Sequence, residues 1–559
     1  METVVGRVQA QLRQAIAQAV EKAVADGVFQ YEKLPEIILE VPREKAHGDY
    51  ATNLAMLLTR QAKQPPRKIA EAIVARLPQE NKLIARVEIA GPGFINFYLT
   101  NDWLYAGLAE IGKQGENYGK TNTGKGRKVQ VEFVSANPTG PLHMGNGRGG
   151  AIGSVLANLL ETAGFDVTRE FYINDAGNQI ENFGLSLEAR YLELLGQDYT
   201  FPEKGYRGED IKQCMADLIA LEGDKYLQLP PEERRKKLVS YALKEKLTAI
   251  KNDLAAFGVE YDVWFSEQSL YDSGKIKETL DLLQEKGYLY EKDGAIWLKT
   301  TLFGDDKDEV VVRANGVPTY FAADIAYHRD KFERGFTWII NIWGADHHGH
   351  VARMKGAMAA LGYDPDQLDV IIMQLVRLVR KGEQVRMSKR AGEMVTLSEL
   401  VEEVGKDAAR FFFLLRSADS HLDFDLDLAK EASNENPVYY VQYAHARICS
   451  ILRQAAERGV TLPQTGDLTL LKTEAELDLI RKLVQFPEEI ALAALRKEPH
   501  RLARYVHDLA GLFHSFYNSC RVISDDEKLT AARLVLVDAA RIVLRNSLNI
   551  LGITAPERM

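Results

Sequence analysis

Cysteine is scarce in this chain of 559 residues: only Cys214, Cys449 and Cys520 occur, far apart and odd in number. No CxxC pair, zinc-finger spacing or disulfide framework can be built from them. Long hydrophobic runs are also missing. None approaches the ~18 apolar residues that a membrane-spanning helix needs. The opening segment lacks the unbroken apolar stretch of a signal peptide. Instead Val5, Val8, Leu12, Ile16, Val20 and Val24 recur at helical spacing between polar residues, which predicts an amphipathic helix. A cytoplasmic protein with no membrane partner is the expectation. Basic charge is not in excess either: 70 Lys and Arg face 79 Asp and Glu, a net charge of −9. That balance argues weakly against a nucleic-acid partner but does not decide, because only the contacting face must be basic. Residues from Val441 onward carry a slight basic excess, which an ordinary mixed helical surface explains equally well. Internal repeats and low-complexity tracts are absent.

A chain this long exceeds one hydrophobic core and suggests about three or four domains. The first, placed at 1–118, opens with the amphipathic helix. It ends on Arg86–Phe97, an alternating run broken by Gly91-Pro92-Gly93, as in a hairpin. The polar, glycine-rich and basic run Gly119–Lys128 reads as a linker. Its Gly-Lys-Thr is no P-loop, because Gly115 lies one residue too near Gly119 and no helical pattern follows. From 128 to about 420, strand-like and helical segments alternate, with strand candidates Val167–Ile173, Ile296–Leu298, Trp338–Trp343 and Val370–Ile372. Such alternation implies α/β architecture, a Rossmann-like parallel sheet with crossover helices. A charged, mainly helical insertion occupies about 178–258. From about 432 to 559 the pattern is all-helical. The expected fold class is therefore α/β, with an N-terminal α+β domain and a C-terminal all-helical domain.

The most informative stretch runs from Ser135 to Gly147: Ser-Ala-Asn-Pro-Thr-Gly-Pro-Leu-His-Met-Gly-Asn-Gly. It follows a strand-like Lys128–Val134 and precedes a helical segment from about Arg148 to Ala163, which Gly164 would stop. A histidine and a glycine-rich turn thus stand where a strand hands over to a helix N-terminus. Free N–H groups and the positive end of the helix dipole favour phosphate there. The run Gly145–Gly150 also matches G-x-G-x-x-G, with Glu170 as a ribose-binding acid. In a dinucleotide fingerprint the first glycine follows the strand at once. Here about ten residues intervene, two of them proline, so that reading is set aside. A second element, Arg386–Gly392, contains Met387-Ser388-Lys389 in a polar loop, and Thr396-Leu397-Ser398-Glu399 after it reads as a capping box. A lysine on such a loop can neutralise a polyphosphate. The run Gly344–His350 holds three histidines and Asp346, but its spacing fits no common zinc motif. No protein-bound metal is expected, and His348 reads equally well as an ordinary loop histidine.

These elements carry a resemblance. His143-Met144-Gly145-Asn146 and Met387-Ser388-Lys389 resemble, in order and spacing, the two signature sequences of class I aminoacyl-tRNA synthetases. The approach Ala136-Asn137-Pro138-Thr139-Gly140-Pro141 with Leu142 resembles arginyl-tRNA synthetases in particular. So do Glu132–Asn137, Tyr172–Gln179, His47-Gly48-Asp49-Tyr50 with Asn53, and the ending Ala555–Met559. One departure is Asn146, which stands where the first signature usually has its second histidine. The family often moves the second-signature lysine upstream of the first signature; here Lys389 is present and Gly140 occupies the upstream position.

The resemblance implies an ATP-dependent ligase that joins L-arginine to tRNA(Arg), with ATP as substrate accompanied by Mg²⁺ and with no bound zinc. It implies His143 and Lys389 as catalytic groups, and His143, Gly145, Asn146, Met387, Ser388 and Lys389 at ATP. Tyr320 and Asp324, four residues apart and on one face if helical, would meet the guanidinium with Glu267. Glu132, Asn137 and Asp346 would meet the amino-acid head group. The C-terminal helices would hold the anticodon limb and the N-terminal domain the outer corner of the tRNA. A monomer is expected. A catalytically silent tRNA-binding relative and a nicotinamide oxidoreductase stay open as readings from other classes.

Overall fold

The computed structural model describes residues 3–78, 80–385, 395–460, 462 and 466–559. Helix α1 (Val4–Ala25) is capped by Thr3, whose hydroxyl accepts the Gly6 N–H. It buries Val5, Val8, Leu12, Ile16 and Val20, the expected stripe, while Val24 stays half-buried. Strand β1 (Tyr50–Thr52) and helices α2 (Leu54–Ala62) and α3 (Pro66–Val74) follow. Strands β2 (Ile84–Ala90) and β3 (Phe94–Leu99) form the anticipated hairpin, closed between Ala90 and Phe94. Gly91 and Gly93 take φ of 53° and 149° in its turn, conformations open to a residue without a side chain. With β1 on the far side of β3, these strands make a three-stranded sheet. Helix α4 (Asp102–Gln114) completes the segment.

The next region is built on a five-stranded, wholly parallel sheet. Strand β4 (Lys128–Glu132) leads through α5 (Met144–Thr162) to β5 (Asp166–Ile173). The insertion is helical, as expected: α6 (Asn178–Leu194), α7 (Glu209–Glu222) and α8 (Pro231–Ala256) pack around Phe183, Leu187, Tyr191 and Met215. Strand β6 (Val263–Ser266), α9 (Gln268–Asp272) and α10 (Lys275–Glu285) come next. The candidate strand Ile296–Leu298 does form, but outside the parallel sheet. It lies in β8 (Ala295–Leu298), between β7 (Leu289–Lys292) and β9 (Glu309–Val312), in a small antiparallel sheet. The connection from β7 to β8 is a short turn, which fits antiparallel pairing only.

Helix α11 (Tyr320–Glu333) then returns the chain to β10 (Trp338–Gly344), and α12 (His350–Leu361) to β11 (Leu368–Met373). The sheet order is β11-β10-β4-β5-β6. The chain reverses direction across the sheet between β4 and β10. A crevice opens at that point outside the carboxyl ends of the strands, where ligands of such folds bind.

The apolar run Val370–Val379 is not one element. It breaks at Gln374 and Leu375 into β11 and β12 (Val376–Arg380). Strand β12 leaves the parallel sheet to pair with β13 (Glu383–Val385) and, after α13 (Leu397–Val404) and α14 (Lys406–Phe413), with β14 (Leu422–Asp425). Helices α15 (Pro437–Glu457), α16 (Glu474–Val484), α17 (Phe486–Arg496), α18 (His500–Ser519) and α19 (Glu527–Leu551) finish the chain. They pack on α4 and α5 at once. Asn546 donates to the Gly115 and Tyr118 carbonyls, both at 3.0 Å, and the Tyr118 hydroxyl lies 3.3 Å from the Leu483 and Val484 carbonyls. No helix among the described residues is long and apolar enough to cross a membrane.

Helix α5 sits so close to the strand end that Gly153 faces the Phe133 ring. A Cβ there would lie 2.1 Å from the Phe133 Cγ. Gly153→Ala should gain about 1 kcal/mol of helix propensity yet lose about 1–3 kcal/mol to overpacking against a fully buried ring. A lower urea midpoint is the expected outcome; a raised one would show that the ring yields freely.

Candidate active site

Strand β4 ends two residues earlier than its apolar pattern suggests, because the backbone turns sharply there. Val134 and Ser135 have φ of 69° and 41°. Left-handed geometry is rare for a β-branched residue and costs about 1–3 kcal/mol at each such position. Specific bonds hold the turn. The Ser135 hydroxyl donates to Glu132 Oε1 at 2.9 Å and accepts the Tyr172 N–H at 3.1 Å. Glu132 Oε2 in turn accepts from the fully buried Lys331 ammonium at 2.5 Å.

Lys331 also donates to Asn341 Oδ1 at 2.9 Å, which orients that amide so that its nitrogen meets His328 Nε2 at 2.7 Å. The His328 proton must then sit on Nδ1, where it is donated to the Asp324 carbonyl at 2.8 Å. Burial, reinforced by the Lys331 charge, drives the His328 pKa well below the usual imidazole value and keeps the ring neutral. A buried chain of polar contacts thus runs under the crevice from β4 to α11.

Helix α5 starts at Met144, four residues ahead of the expected Arg148. The cause is a reciprocal cap formed by the motif itself. The Gly145 N–H donates to His143 Nδ1 at 3.1 Å, and the His143 N–H donates to Asn146 Oδ1 at 3.0 Å. With Nδ1 accepting, the proton of the neutral ring belongs on Nε2. Desolvation lowers the His143 pKa and favours that neutral form. Asn146, the departure from the usual signature, is therefore a helix-capping partner here.

Met387, Ser388 and Lys389 lie outside the described residues. The chain resumes at Val395–Leu397 beside the first motif. Leu397 N–H donates to the Leu142 carbonyl at 2.8 Å, and Thr396 bridges His143. Thr396 and Glu399 form the expected capping box of α13.

A different chemistry occupies the other wall. Glu267, just beyond β6, is 1% exposed, and among the described residues neither carboxylate oxygen makes an ion pair or a well-formed hydrogen bond, the Tyr172 hydroxyl alone coming near enough to favour its ionised form. The buried Tyr172 hydroxyl itself makes no well-formed hydrogen bond among them. Asp324 stands nearby on α11, its Oδ2 3.1 Å from His350 Nε2. Tyr320, exposed, is one turn earlier on the same helix. Burial, with the negative charges of Asp324 and Asp175 adding to it, pushes the Glu267 pKa up to about 8. Buried polar groups are nearly always satisfied by protein or ordered water; among the described residues no lysine or arginine pairs with Glu267.

One cleft of about 720 Å³ joins both walls. Glu132, Ala136, Asn137, Thr139, Gly140, Pro141, His143, Asn146, Glu267, Tyr320, Asp324 and Asp346 all line it. Asp346 lies at the rim with its side chain in solvent, 3.5 Å from His347. Pro138, Leu142, Met144 and Gly145 shape the loop and helix start without lining the cleft. Sequence reasoning did not single out His328, Lys331 or Asn341, and it noted Tyr172 and His350 only as members of longer runs. Among the described residues no group of three or more histidine, cysteine, aspartate or glutamate side chains could hold a metal ion. Glu170 is fully buried and occupied by Arg334, at 2.6 and 2.9 Å, and by the Tyr327 hydroxyl at 2.6 Å. It is not placed to receive a ribose, which removes the acid that a dinucleotide site would require.

The Glu267 carboxyl keeps its proton in the folded protein between pH 4.5 and about 8, where the unfolded chain releases it. The native state binds more protons in that window, so stability falls as pH rises through it. Glu267→Gln should remove this part of the slope. Without substrate, the variant should match the parent in urea unfolding at pH 5 and exceed it by a few kcal/mol at pH 8.5. Equal losses at both pH values would contradict the assignment.

Three family models cover most of the chain. They are described as arginyl tRNA synthetase N terminal domain (residues 10–99), tRNA synthetases class I (R), catalytic domain (108–414) and DALR anticodon binding domain (441–559). The arginine–tRNA ligase of Heliobacterium modesticaldum is 63% identical over 98% of both chains. That of Desulforamulus reducens is 61% identical over the full length of both. Among solved structures, Thermus thermophilus arginyl-tRNA synthetase matches with a TM-score of 0.76 and 25% identity, covering 98% of this chain and 100% of its own. A putative arginyl-tRNA synthetase from Campylobacter jejuni matches with a TM-score of 0.76 and 35% identity, over 82% of this chain and 100% of its own. A capped histidine at the switch point of a parallel sheet, an unsatisfied acidic pocket opposite it and full-length likeness on this scale lead to one assignment: the chain belongs to the arginyl-tRNA synthetase family of class I aminoacyl-tRNA synthetases.

Proposed function

We propose that the cleft activates L-arginine with ATP and transfers it to tRNA(Arg), releasing AMP and pyrophosphate. The observation that carries the arginine end is the Glu267 carboxyl, buried beside Asp324 with no lysine or arginine paired to it among the described residues. A guanidinium is planar and permanently charged, and its N–H fork suits two carboxylates and a phenol. Glu267, Asp324 and Tyr320 therefore take the side chain. Asn137, Asp346 and Glu132 take the head group; Glu132, steadied by Lys331 and Ser135, still offers lone pairs to the α-ammonium.

In the first step an arginine carboxylate oxygen attacks the α-phosphorus in line. The bond to the bridging oxygen breaks, and pyrophosphate leaves with its electron pair. Positioning and charge stabilisation supply most of the catalysis in such transfers. His143 donates its Nε2 proton as a hydrogen bond to a phosphate oxygen, and Asn146 and Gly145 set the helix start beneath it. Met387, Ser388 and Lys389 contact ATP, with the lysine neutralising the departing pyrophosphate. Mg²⁺ enters as part of the ATP substrate, bridging phosphate oxygens. In the second step a ribose hydroxyl of the terminal tRNA adenosine attacks the arginyl carbonyl and AMP leaves.

The helices of 432–559 hold the anticodon limb and the domain at 1–118 the outer corner of the tRNA, in a cytoplasmic monomer. The domain at 128–420, with its insertion at 178–258, performs the chemistry.

Asp324→Asn should raise the arginine KM by about 10- to 100-fold, the worth of a charged hydrogen bond, and leave the ATP KM nearly unchanged. An unaltered arginine KM in steady-state aminoacylation would overturn the guanidinium site. Lys389→Ala should lower kcat by about 10²–10³-fold, as expected for a group that stabilises developing charge, with tRNA affinity retained. Failure of the parent protein to form AMP from ATP, arginine and tRNA would favour a silent tRNA-binding relative.

A further inference from the structure

Glu267 stands at a weak point of the architecture. Strand β6 has only four residues and lies at the edge of the parallel sheet, paired with β5 alone. The register ends with Ile173 opposite Ser266, one residue before Glu267. Strand ends held from one side fray readily. A guanidinium site needs the opposite, because two acceptors for one planar fork have to keep a fixed separation. Asp324 obtains this from α11, where its carbonyl also accepts from His328. Glu267 instead follows directly on the strand end.

The loop that leaves β5 makes up the difference. The Ile173 carbonyl accepts the Glu267 N–H at 3.0 Å and the Asp175 N–H at 2.9 Å. The second of these bonds folds the loop back toward the end of β6. There Asp175 Oδ2 accepts the Ser266 hydroxyl at 2.6 Å, and Oδ1 accepts the Gln268 N–H at 2.9 Å. The residues before and after Glu267 are thus tied to one carboxylate, and Glu267 itself to the carbonyl two residues ahead of it. Hydrogen bonds to a carboxylate are charge-assisted and stronger than neutral ones. Asp175 stays outside the lining of the cleft, so it reaches the site only through the segment it holds.

We infer that Asp175 is a positioning residue that clamps Ser266 and Gln268 and so fixes the Glu267 carboxyl at the separation from Asp324 that a guanidinium fork requires. This rests on the reading of Glu267 and Asp324 as the arginine pocket. For stability alone a carboxylate is a poor choice at this place. Burial and the charge of Asp324 already disfavour ionised Glu267, and Asp175 adds to them. Its merit is geometric: two acceptor oxygens meet two donors that flank one residue. Asparagine has the same shape and keeps both contacts, its oxygen accepting from Gln268 and its NH2 donating to the Ser266 hydroxyl oxygen. Alanine keeps neither. The two variants therefore separate the clamp from the charge.

The test compares Asp175→Ala, Asp175→Asn and Ser266→Ala in the full-length protein, at a temperature well below each Tm, by aminoacylation with saturating tRNA. Asp175→Ala should lower kcat/KM for arginine by about 10- to 100-fold, the usual cost of a small misplacement, with the ATP KM held within about twofold. Asp175→Asn should stay within about threefold of the parent, because both contacts survive. Ser266→Ala removes one contact without touching the charge and should lose about 3- to 10-fold. It decides alone if Asp175→Ala does not fold. The decisive measurement repeats Asp175→Ala, or Ser266→Ala in its place, in a Glu267→Ala background, where the loss should vanish because the group being positioned is gone. Full additivity there, a parental value in Ser266→Ala, or an asparagine variant as impaired as the alanine one would overturn the inference while leaving the arginine pocket intact. An unchanged arginine kcat/KM in Glu267→Ala alone would instead sink the reading of the pocket and this inference with it.

Discussion

The contact between the Lys331 ammonium and the Glu132 carboxylate governs the geometry of the cleft. Glu132 is the last residue of β4, and the chain beyond it must leave the sheet upward at the point where strand order reverses. Two consecutive residues outside their preferred backbone region cost about 2–6 kcal/mol together. A serine hydroxyl bonded to a free carboxylate would not hold them alone, since such bonds contribute only about 1.5–3 kcal/mol. Lys331 fixes the carboxylate that fixes Ser135, and Asn341 on the neighbouring strand fixes Lys331. The pair sits within the polar relay that ends on the backbone of Asp324. The turn that launches the His143 loop and the helix that carries the acidic pocket are thus braced by one buried network.

The two walls of the cleft use charge in opposite ways. On one wall every contact favours neutrality: His143 caps a helix with Nδ1, and desolvation keeps its ring uncharged. Its Nε2 proton is left free to be donated to an acceptor in the cleft. On the opposite wall burial, with the charges of Asp324 and Asp175 added to it, keeps Glu267 protonated near neutral pH. A cation set between Glu267 and Asp324 would favour the ionised carboxyl, whereas an apolar group would leave it protonated.

Much of this was legible in the sequence where a single period governs a long segment. The α1 stripe, the Gly-Pro-Gly hairpin, the alternation from 128 onward and the helical C-terminal region all obey one local rule. What failed did so where tertiary contacts override local preference. Val134 belongs to a β-favouring run, and nothing beside it announces a left-handed turn. The signal lies in Lys331, distant in sequence. The stretch 370–379 is mostly apolar, and the polar residue Gln374 did not by itself announce that Gln374 and Leu375 divide two sheets. The early start of α5 escaped because the cap is written as histidine and asparagine instead of serine and glutamate. Glu267 and Asp324 could be named by resemblance, but the lack of a lysine or arginine paired with Glu267 among the described residues is a property of the folded pocket alone.

A net charge of −9 makes a polyanionic substrate an awkward partner, and the architecture indicates how that is met. The N-terminal segment and the C-terminal helices are not separate appendages. Thr3 hydrogen-bonds to Glu488, Arg481 pairs with Asp49, and Asn546 clasps the carbonyls that follow α4. The same C-terminal helices press on α5, whose first residue follows His143. The C-terminal helices therefore bear on the helix that carries the first signature, and the N-terminal segment is joined to it through them. Long-range attraction plays a small part for such a chain, since a charge separated by more than about 8–10 Å is largely screened at physiological salt. Recognition of a polyanion must then come chiefly from short-range fit.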